Sequence, residues 1–452
     1  MNYRWILMVC LFCSCAVAKV KSPDRIWVSV DVERVPQYGL TVFCPGGKMH
    51  GFRFDEKKHA EYVLDDREAA ILTFQHGFQE RKQMYVERGD SLRLSYDGNS
   101  LQNTLKSNDS RPAITAYLAK AKITDLSRRD YALEFPAFLA RLKEQEILNG
   151  KLLDSCRDEL VKESDRFVRL ERNRIKYTLG SALFNYPAMH AKMANREYVP
   201  DDSYYAAVRE LFREDSELLC LEEYRKVLFA AVDVFVQREE AVYDLYPRTM
   251  KQMEYIQEHF KDEALKQELL FILAQGHIAR YGIRNSGELD ELYRHYVTDK
   301  KLLARYLAVY DSWAAIAPGA EAIAFHGEDA AGKSYSLKDF KGRNVCIYLW
   351  LNLHPCMQQF ERLKQLQPLF EEKNVALVNL YLEDGREGWE KAIGNNQVQC
   401  GLHLFSDDVA SFLKAYHYES HKVFQLILID GKGRIVESHV PPVELEEMLK
   451  RL

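Results

Sequence analysis

The chain has 452 residues, of which 47% are hydrophobic, enough to bury large cores and to build more than one domain. A formal charge of -5 and an isoelectric point near 6.3 leave no electrostatic footprint for nucleic acid. Of its nine cysteines, the six beyond residue 18 are scattered without paired spacing, which excludes a disulfide scaffold and a zinc site of the C-x-x-C kind.

At the N-terminus, Arg4 precedes the apolar run Trp5 to Val17, which is too short to span a bilayer and ends in Ala16-Val-Ala18. That is the build of a cleaved secretory signal peptide over residues 1–18, so export to the periplasm or cell envelope is expected. Cys15, preceded by Phe12-Cys13-Ser14, offers a lipid anchor as the alternative to plain cleavage. Cys10, Cys13 and Cys15 leave with this segment; Cys44, Cys156, Cys220, Cys346, Cys356 and Cys400 remain and read as small buried hydrophobes. No later stretch approaches the ~20 uncharged apolar residues of a membrane-spanning helix.

From about Ile26 to Gly98 the pattern is β-structure, with alternation in Ile26–Val32 and Leu40–Phe43 and a turn at Pro45-Gly-Gly47. The best strand pair is Met84–Glu87 with Ser91–Tyr96 around Arg88-Gly-Asp90, which reads as a turn rather than as an adhesion tripeptide. From Pro112 to Asp311 apolar residues recur at helical spacing, for example in Ala113–Ala121, Phe135–Leu148, Leu218–Val236 and Leu265–Ile278. Breaks are expected at Asn149-Gly150, Tyr198–Asp202, Tyr246-Pro247 and Gly282–Gly287, and the charged run Arg172–Lys176 reads as a solvated helix face. After Ala317-Pro-Gly319 the pattern changes to strands alternating with helices. Val345–Trp350 reads as a buried strand, and Cys356 then opens a helical pattern through Phe370. Val375–Leu382 suits a strand buried on both faces, and Leu402–Phe405, Val423–Ile429 and Arg434–Ser438 complete a sheet, with helices at Ala410–Tyr416 and Val443–Leu452.

Gly342-Arg-Asn-Val-Cys-Ile-Tyr-Leu-Trp350 resembles the G-K-x-V-hydrophobic-W lead-in of the TlpA/ResA group of exported thiol–disulfide oxidoreductases, which have a thioredoxin-like fold. Ala330-Ala-Gly-Lys333 and Ser336-Leu-Lys-Asp-Phe-Lys-Gly342 follow the same family's opening, and Trp389 stands where the family commonly has Trp. Met84 to Leu94 is similar to a Y-V-E-P-G-D-S signature in the small β-sandwich that often precedes such a domain, and Leu170–Pro187 resembles the helical spacer of the same proteins. The resemblance implies a multidomain α/β chain: signal peptide 1–18, β-sandwich-like domain 24–110, helical spacer 111–315 and thioredoxin-like domain 318–452.

It also locates the chemistry. The family continues W-A-x-W-C-G-P-C, whereas this chain continues Trp350-Leu-Asn-Leu-His-Pro-Cys356, one residue shorter. Only the second, resolving cysteine has a counterpart, Cys356; Leu353 or His354 falls where the attacking thiol would be, and Phe424 stands where the family has its cis-proline. A strand, a short turn and a cysteine at a helix start would lower a thiol pKa. His354, two residues away, raises a Cys–His pair as an alternative to a turn position that tolerates His. Cys346 or Cys400 could substitute for the missing partner. His417 and His421, four apart, could share a helix face, but with no third ligand no metal is expected, and no cofactor. The favoured expectation is a domain that has given up dithiol turnover for binding or scaffolding of an envelope protein or peptide. The alternative is an oxidoreductase acting on a thiol or disulfide client through Cys356 alone, with an external resolving thiol.

Overall fold

A computed structural model describes residues 25–452, apart from 37–38, 45–48, 65–68, 78–79, 285, 352–353, 383–384, 396–399, 407–408 and 419–423, and apart from the side chains of 354, 395, 409 and 410. The expected signal segment with Cys15, the Pro45–Gly47 turn and residues Leu353, Glu419, His421 and Val423 lie outside the described residues. No described helix is long and apolar enough to cross a membrane.

Seven strands build the first layer: β1 (Ile26–Val32), β2 (Leu40–Phe43), β3 (Met49–Gly51), β4 (His59–Leu64), β5 (Ala69–His76), β6 (Glu80–Glu87) and β7 (Ser91–Tyr96). A short helix α1 (Leu101–Thr104) and strand β8 (Lys106–Ser107) follow. They form two sheets, in the orders β4-β1-β7-β8 and β3-β2-β5-β6. Alternate side chains, among them Val28, Val30, Leu72, Phe74, Met84, Val86, Leu92 and Leu94, fill one core between them. The two strands flanking Arg88-Gly-Asp90 therefore do not pair with each other, contrary to the sequence expectation. β6 pairs with β5 and β7 runs parallel to β1, so the turn carries the chain from one sheet to the other. Gly89 takes φ +92° there, and the Asp90 carboxylate accepts the Glu87 N–H at 2.7 Å and pairs with Arg111 at 2.6 Å. Alternation set the inward faces, but closeness in sequence was a poor guide to the pairing.

Helices α2 (Pro112–Lys120), α3 (Phe135–Glu163), α4 (Asp165–Gly180), α5 (Ala182–Ala194), α6 (Asp202–Leu211) and α7 (Glu222–Glu239) complete the first of two compact units, residues 1–240. The expected break at Asn149-Gly150 is absent: α3 runs through it. The Asn149 side chain donates to the carbonyls of Gln145 at 2.8 Å and Thr124 at 3.0 Å, while a Cβ on Gly150 would stand 3.2 Å from the Arg172 guanidinium. Here the glycine allows close approach between helices instead of ending one. The run Arg172–Lys176 is likewise not all solvated, because Arg174 turns inward onto the buried Glu171.

The second unit, residues 241–452, begins with α8 (Leu245–His259), α9 (Glu263–Tyr281), α10 (Gly287–Tyr296) and α11 (Lys300–Ala314). Pro247 lies in the first turn of α8 instead of interrupting a helix, since a first-turn N–H has no partner to lose. A small pair, β9 (His326–Glu328) and β10 (Ser334–Ser336), leads into β11 (Asn344–Trp350), α12 (His354–Gln365), α13 (Gln367–Glu372), β12 (Val375–Tyr381) and α14 (Arg386–Asn395). Next come β13 (Leu402–Leu404), α15 (Val409–Ala415), β14 (Gln425–Ile429), β15 (Ile435–Glu437) and α16 (Leu445–Arg451). The sheet order is β13-β12-β11-β14-β15, with β11, β12 and β13 parallel, β14 antiparallel to β11, and β15 antiparallel to β14. Every residue of β12 is buried, as suits a run that is apolar except for Asn379, whose amide donates to the Cys400 carbonyl at 2.7 Å.

β13 enters this sheet through Gly401, at φ +77°, where a Cβ would stand 2.7 Å from the Leu377 carbonyl oxygen and 2.8 Å from the Asn379 amide nitrogen. A Gly401→Ala substitution meets both a strained backbone and two fixed neighbours. It is expected to lower the stability of the second unit by about 1–3 kcal/mol in urea unfolding followed by tryptophan fluorescence.

Candidate functional site

β11 ends at Trp350 in the middle of the sheet, and α12 starts at His354, two residues earlier than the sequence pattern suggested. Pro355 fits the first helical turn because its missing N–H would have had no intrahelical acceptor. Cys356 follows in that turn and is 0% exposed. Its sulfur accepts the Leu351 backbone N–H at 3.4 Å, and its carbonyl oxygen accepts the Tyr348 hydroxyl at 3.0 Å. The Tyr348 ring stands edge-on to Phe360 at 4.8 Å and to Phe424 at 5.8 Å, so the residue just before β14 packs into the same cluster. Trp350 closes it, 5.0 Å from Phe360 and 4.9 Å from Tyr381.

The local electrostatics oppose ionisation of the neighbouring groups. Burial alone pushes the Cys346 thiol up to about 12. Cys400 is pushed up to about 11, again chiefly by burial, and its sulfur lies 3.9 Å from the Phe360 carbonyl oxygen. Tyr418 rises to about 12 through burial and the nearby Cys356. No disulfide joins any two of the described cysteines. Cys346 and Cys400 thus share a core with Cys356 but sit in it as neutral thiols.

Of the two site residues singled out in sequence, Cys356 is therefore placed inside the core, and His354 marks the helix start with its side chain outside the described residues. The helix face that His417 and His421 could have shared does not extend to His417. Helix α15 ends at Ala415, His417 adopts φ +51°, and its ring lies flat on Trp313 at 4.5 Å with a 5° interplanar angle. Among the described residues no group of three or more side chains is arranged to hold a metal.

His403 was not anticipated. It lies on β13, with its ring 5.7 Å from Phe360 and 6.2 Å from Trp350. The Asn379 side-chain amide donates to the Cys400 carbonyl at 2.7 Å and stands 3.3 Å from His403 Nε2. If that amide is the donor, Nε2 is the acceptor and the neutral ring carries its proton on Nδ1. A histidine inside the short apolar run Leu402-His-Leu404 was the available signal, but only the pairing of Asn379 with His403 across β12 and β13 gives it meaning.

The arrangement can order a sulfur at a helix start, where a backbone N–H and the helix dipole favour the thiolate. It gives that sulfur no open approach, and disulfide exchange needs a thiolate to reach a partner sulfur.

A Redoxin family model matches residues 317–452. Over 138 residues the chain is 28% identical to the thiol-disulfide oxidoreductase ResA of Bacillus thuringiensis subsp. konkukian (strain 97-27), covering 30% of this chain and 78% of that protein. Among solved structures it is similar to the thioredoxin domain of a thiol-disulfide oxidoreductase from Bacteroides vulgatus, with 27% identity and a TM-score of 0.28 over 30% of this chain and 96% of that one. A thioredoxin-like protein from Bacteroides caccae matches over 55% of this chain and 81% of its own, at 14% identity and a TM-score of 0.32.

Burial holds the His403 imidazole down at about 4 from its ordinary 6.5. The unfolded chain binds the extra proton between these values, so the stability tied to the neutral ring is fully present above about 6.5 and is lost as pH falls toward 4. Urea unfolding at pH 7 and pH 4 is expected to show a loss about 1–3 kcal/mol larger in the parent chain than in His403→Leu, which removes the titrating group.

Proposed function

Residues 317–452 are a Redoxin domain of thioredoxin-like fold, and from that premise we propose that the chain keeps the framework of a thiol-disulfide oxidoreductase for recognition in the cell envelope, without two-cysteine turnover. The observation that carries this reading is the complete burial of Cys356, with the Leu351 N–H on its sulfur. Leu353 stands three residues before it in sequence, and the aromatic Phe424 occupies the position where the resemblance leads one to expect proline. A thioredoxin-like surface relieved of turnover can still hold an extended protein segment. Export rests on the signal-like residues 1–18, with lipidation at Cys15 as the alternative to plain cleavage. The ligand in this reading is an envelope protein or peptide.

A second reading has one observation in its favour. The Leu351 N–H and the first turn of α12 both favour a thiolate at Cys356, as a single-cysteine oxidoreductase with an external resolving thiol would need. The two readings part on access. Disulfide turnover by the chain lacking residues 1–18, with dithiothreitol as electron source, is expected to stay at background and to be the same in Cys356→Ser. Activity that disappears in Cys356→Ser would establish the single-thiol enzyme and end the recognition proposal.

Alkylation supplies an independent check. Brief iodoacetamide treatment of the native chain, mapped by mass spectrometry, is expected to modify the half-buried Cys156 and Cys220 well before Cys346, Cys356 and Cys400. In denaturant all should react at comparable rates.

A further inference from the structure

The first unit contains a cavity of about 190 Å³ between the outer face of the sheet β3-β2-β5-β6 and the helices that cover it. Phe43, Ile71 and Thr73 form its floor, and Phe167 and Leu170 of α4 line its roof. An apolar cavity of about 150 Å³ is known to accept benzene, so this one has room for a single ring with a short arm.

Four charged side chains at one wall, Glu171, Arg174, Glu222 and Glu223, decide what that arm should be. Glu171 is 1% exposed and fully engaged: Arg174 donates to it through Nε at 2.6 Å and Nη2 at 2.7 Å, and the Tyr117 hydroxyl adds a bond at 2.9 Å. This pair cancels its own charge. Glu223, in the first turn of α7, lines the same cavity half-buried, close enough for its charge to act on Arg174. Beyond that action on Arg174, its carboxylate has no hydrogen bond or ion pair among the described residues. Neighbouring Glu222 is answered by Lys226 at 2.5 Å. Glu171, Arg174 and Glu223 thus sum to one net negative charge beside a chamber whose floor and roof are largely apolar, and that charge attracts a cation.

We propose that this cavity binds a small amphipathic cation, a single ring or branched alkyl group bearing one ammonium or amidinium. Its apolar body lies between the sheet and α4, and its cation rests on Glu223. The site is independent of the cysteine chemistry of the second unit and does not depend on the recognition reading.

The test is titration of the full chain with phenethylamine, 3-phenylpropionate and ethylbenzene, followed by ligand-observed NMR and calorimetry. Phenethylamine is expected to bind saturably in the millimolar range, with 3-phenylpropionate at least about tenfold weaker. Glu223→Gln should weaken the amine about tenfold and bring the three ligands toward equal affinity. Thr73→Trp, which fills the chamber from the floor, should abolish binding of all three. Circular dichroism identifies a folding failure in that variant, and Glu223→Gln decides the matter by itself. Tighter binding of the anion than of the amine, an affinity for the amine indifferent to Glu223→Gln, or no saturable amine binding would each overturn the proposal.

Discussion

The second unit depends on one constraint: β11 is a central strand buried on both faces, and it must turn into α12 within a few residues. Such a turn brings backbone polar groups into the interior, where each needs a partner. Cys356 supplies two of the answers. Its sulfur takes the Leu351 N–H, and its carbonyl takes the Tyr348 hydroxyl, which would otherwise be a buried donor with a substantial desolvation cost. The Tyr348 ring is then held between Phe360 of α12 and Phe424 at the entry to β14. One cysteine thereby ties together the strand before it, the helix that carries it and the strand paired on the far side.

That role explains how a cysteine can be kept in place by packing alone. A small, weakly polar side chain fits the corner between strand and helix, and its sulfur is a tolerant acceptor. Cys346 and Cys400 follow the same logic as thiols that burial keeps neutral, and the Cys400 sulfur donates to the Phe360 carbonyl at 3.9 Å. Retention of Cys356 is therefore weak evidence for redox chemistry, and exposure of its sulfur is the property on which that chemistry turns.

The parts of this architecture that were legible in sequence are those fixed by short-range pattern. The run Val345–Trp350, the nearly continuous apolar run Val375–Tyr381 and the helical spacing after Cys356 each translate directly into the observed element. What was not legible depended on contacts distant in sequence. Met84–Glu87 and Ser91–Tyr96 carried the right inward faces, yet which strands they join is set by β5 and β1, far from the turn between them. Asn149-Gly150 looked like punctuation because the close approach of Arg172 from α4 is invisible in a local window. His417 fell at helical spacing from another histidine, but the stacking surface of Trp313 claims its ring beyond the end of α15. Within the candidate site the same division holds: Cys356 was visible, whereas His403 acquires its Asn379 neighbour only when β13 docks on β12.

The two units manage buried polarity in opposite ways. Around Cys356, burial raises the Cys346 and Cys400 thiols and lowers the His403 imidazole, so these three groups are kept neutral. In the first unit Glu171 stays with Arg174 as a doubly bonded ion pair, and Tyr117 satisfies one of its oxygens further. A buried pair of that kind contributes little net stability against apolar residues of the same volume, because desolvation offsets its attraction. Its value lies in direction, since a guanidinium held along one edge leaves a rigid, locally neutral wall beside which a further carboxylate such as Glu223 can act. In the domain with oxidoreductase relatives Cys346, Cys356 and Cys400 are buried, while the first unit holds an organised ion pair beside a cavity.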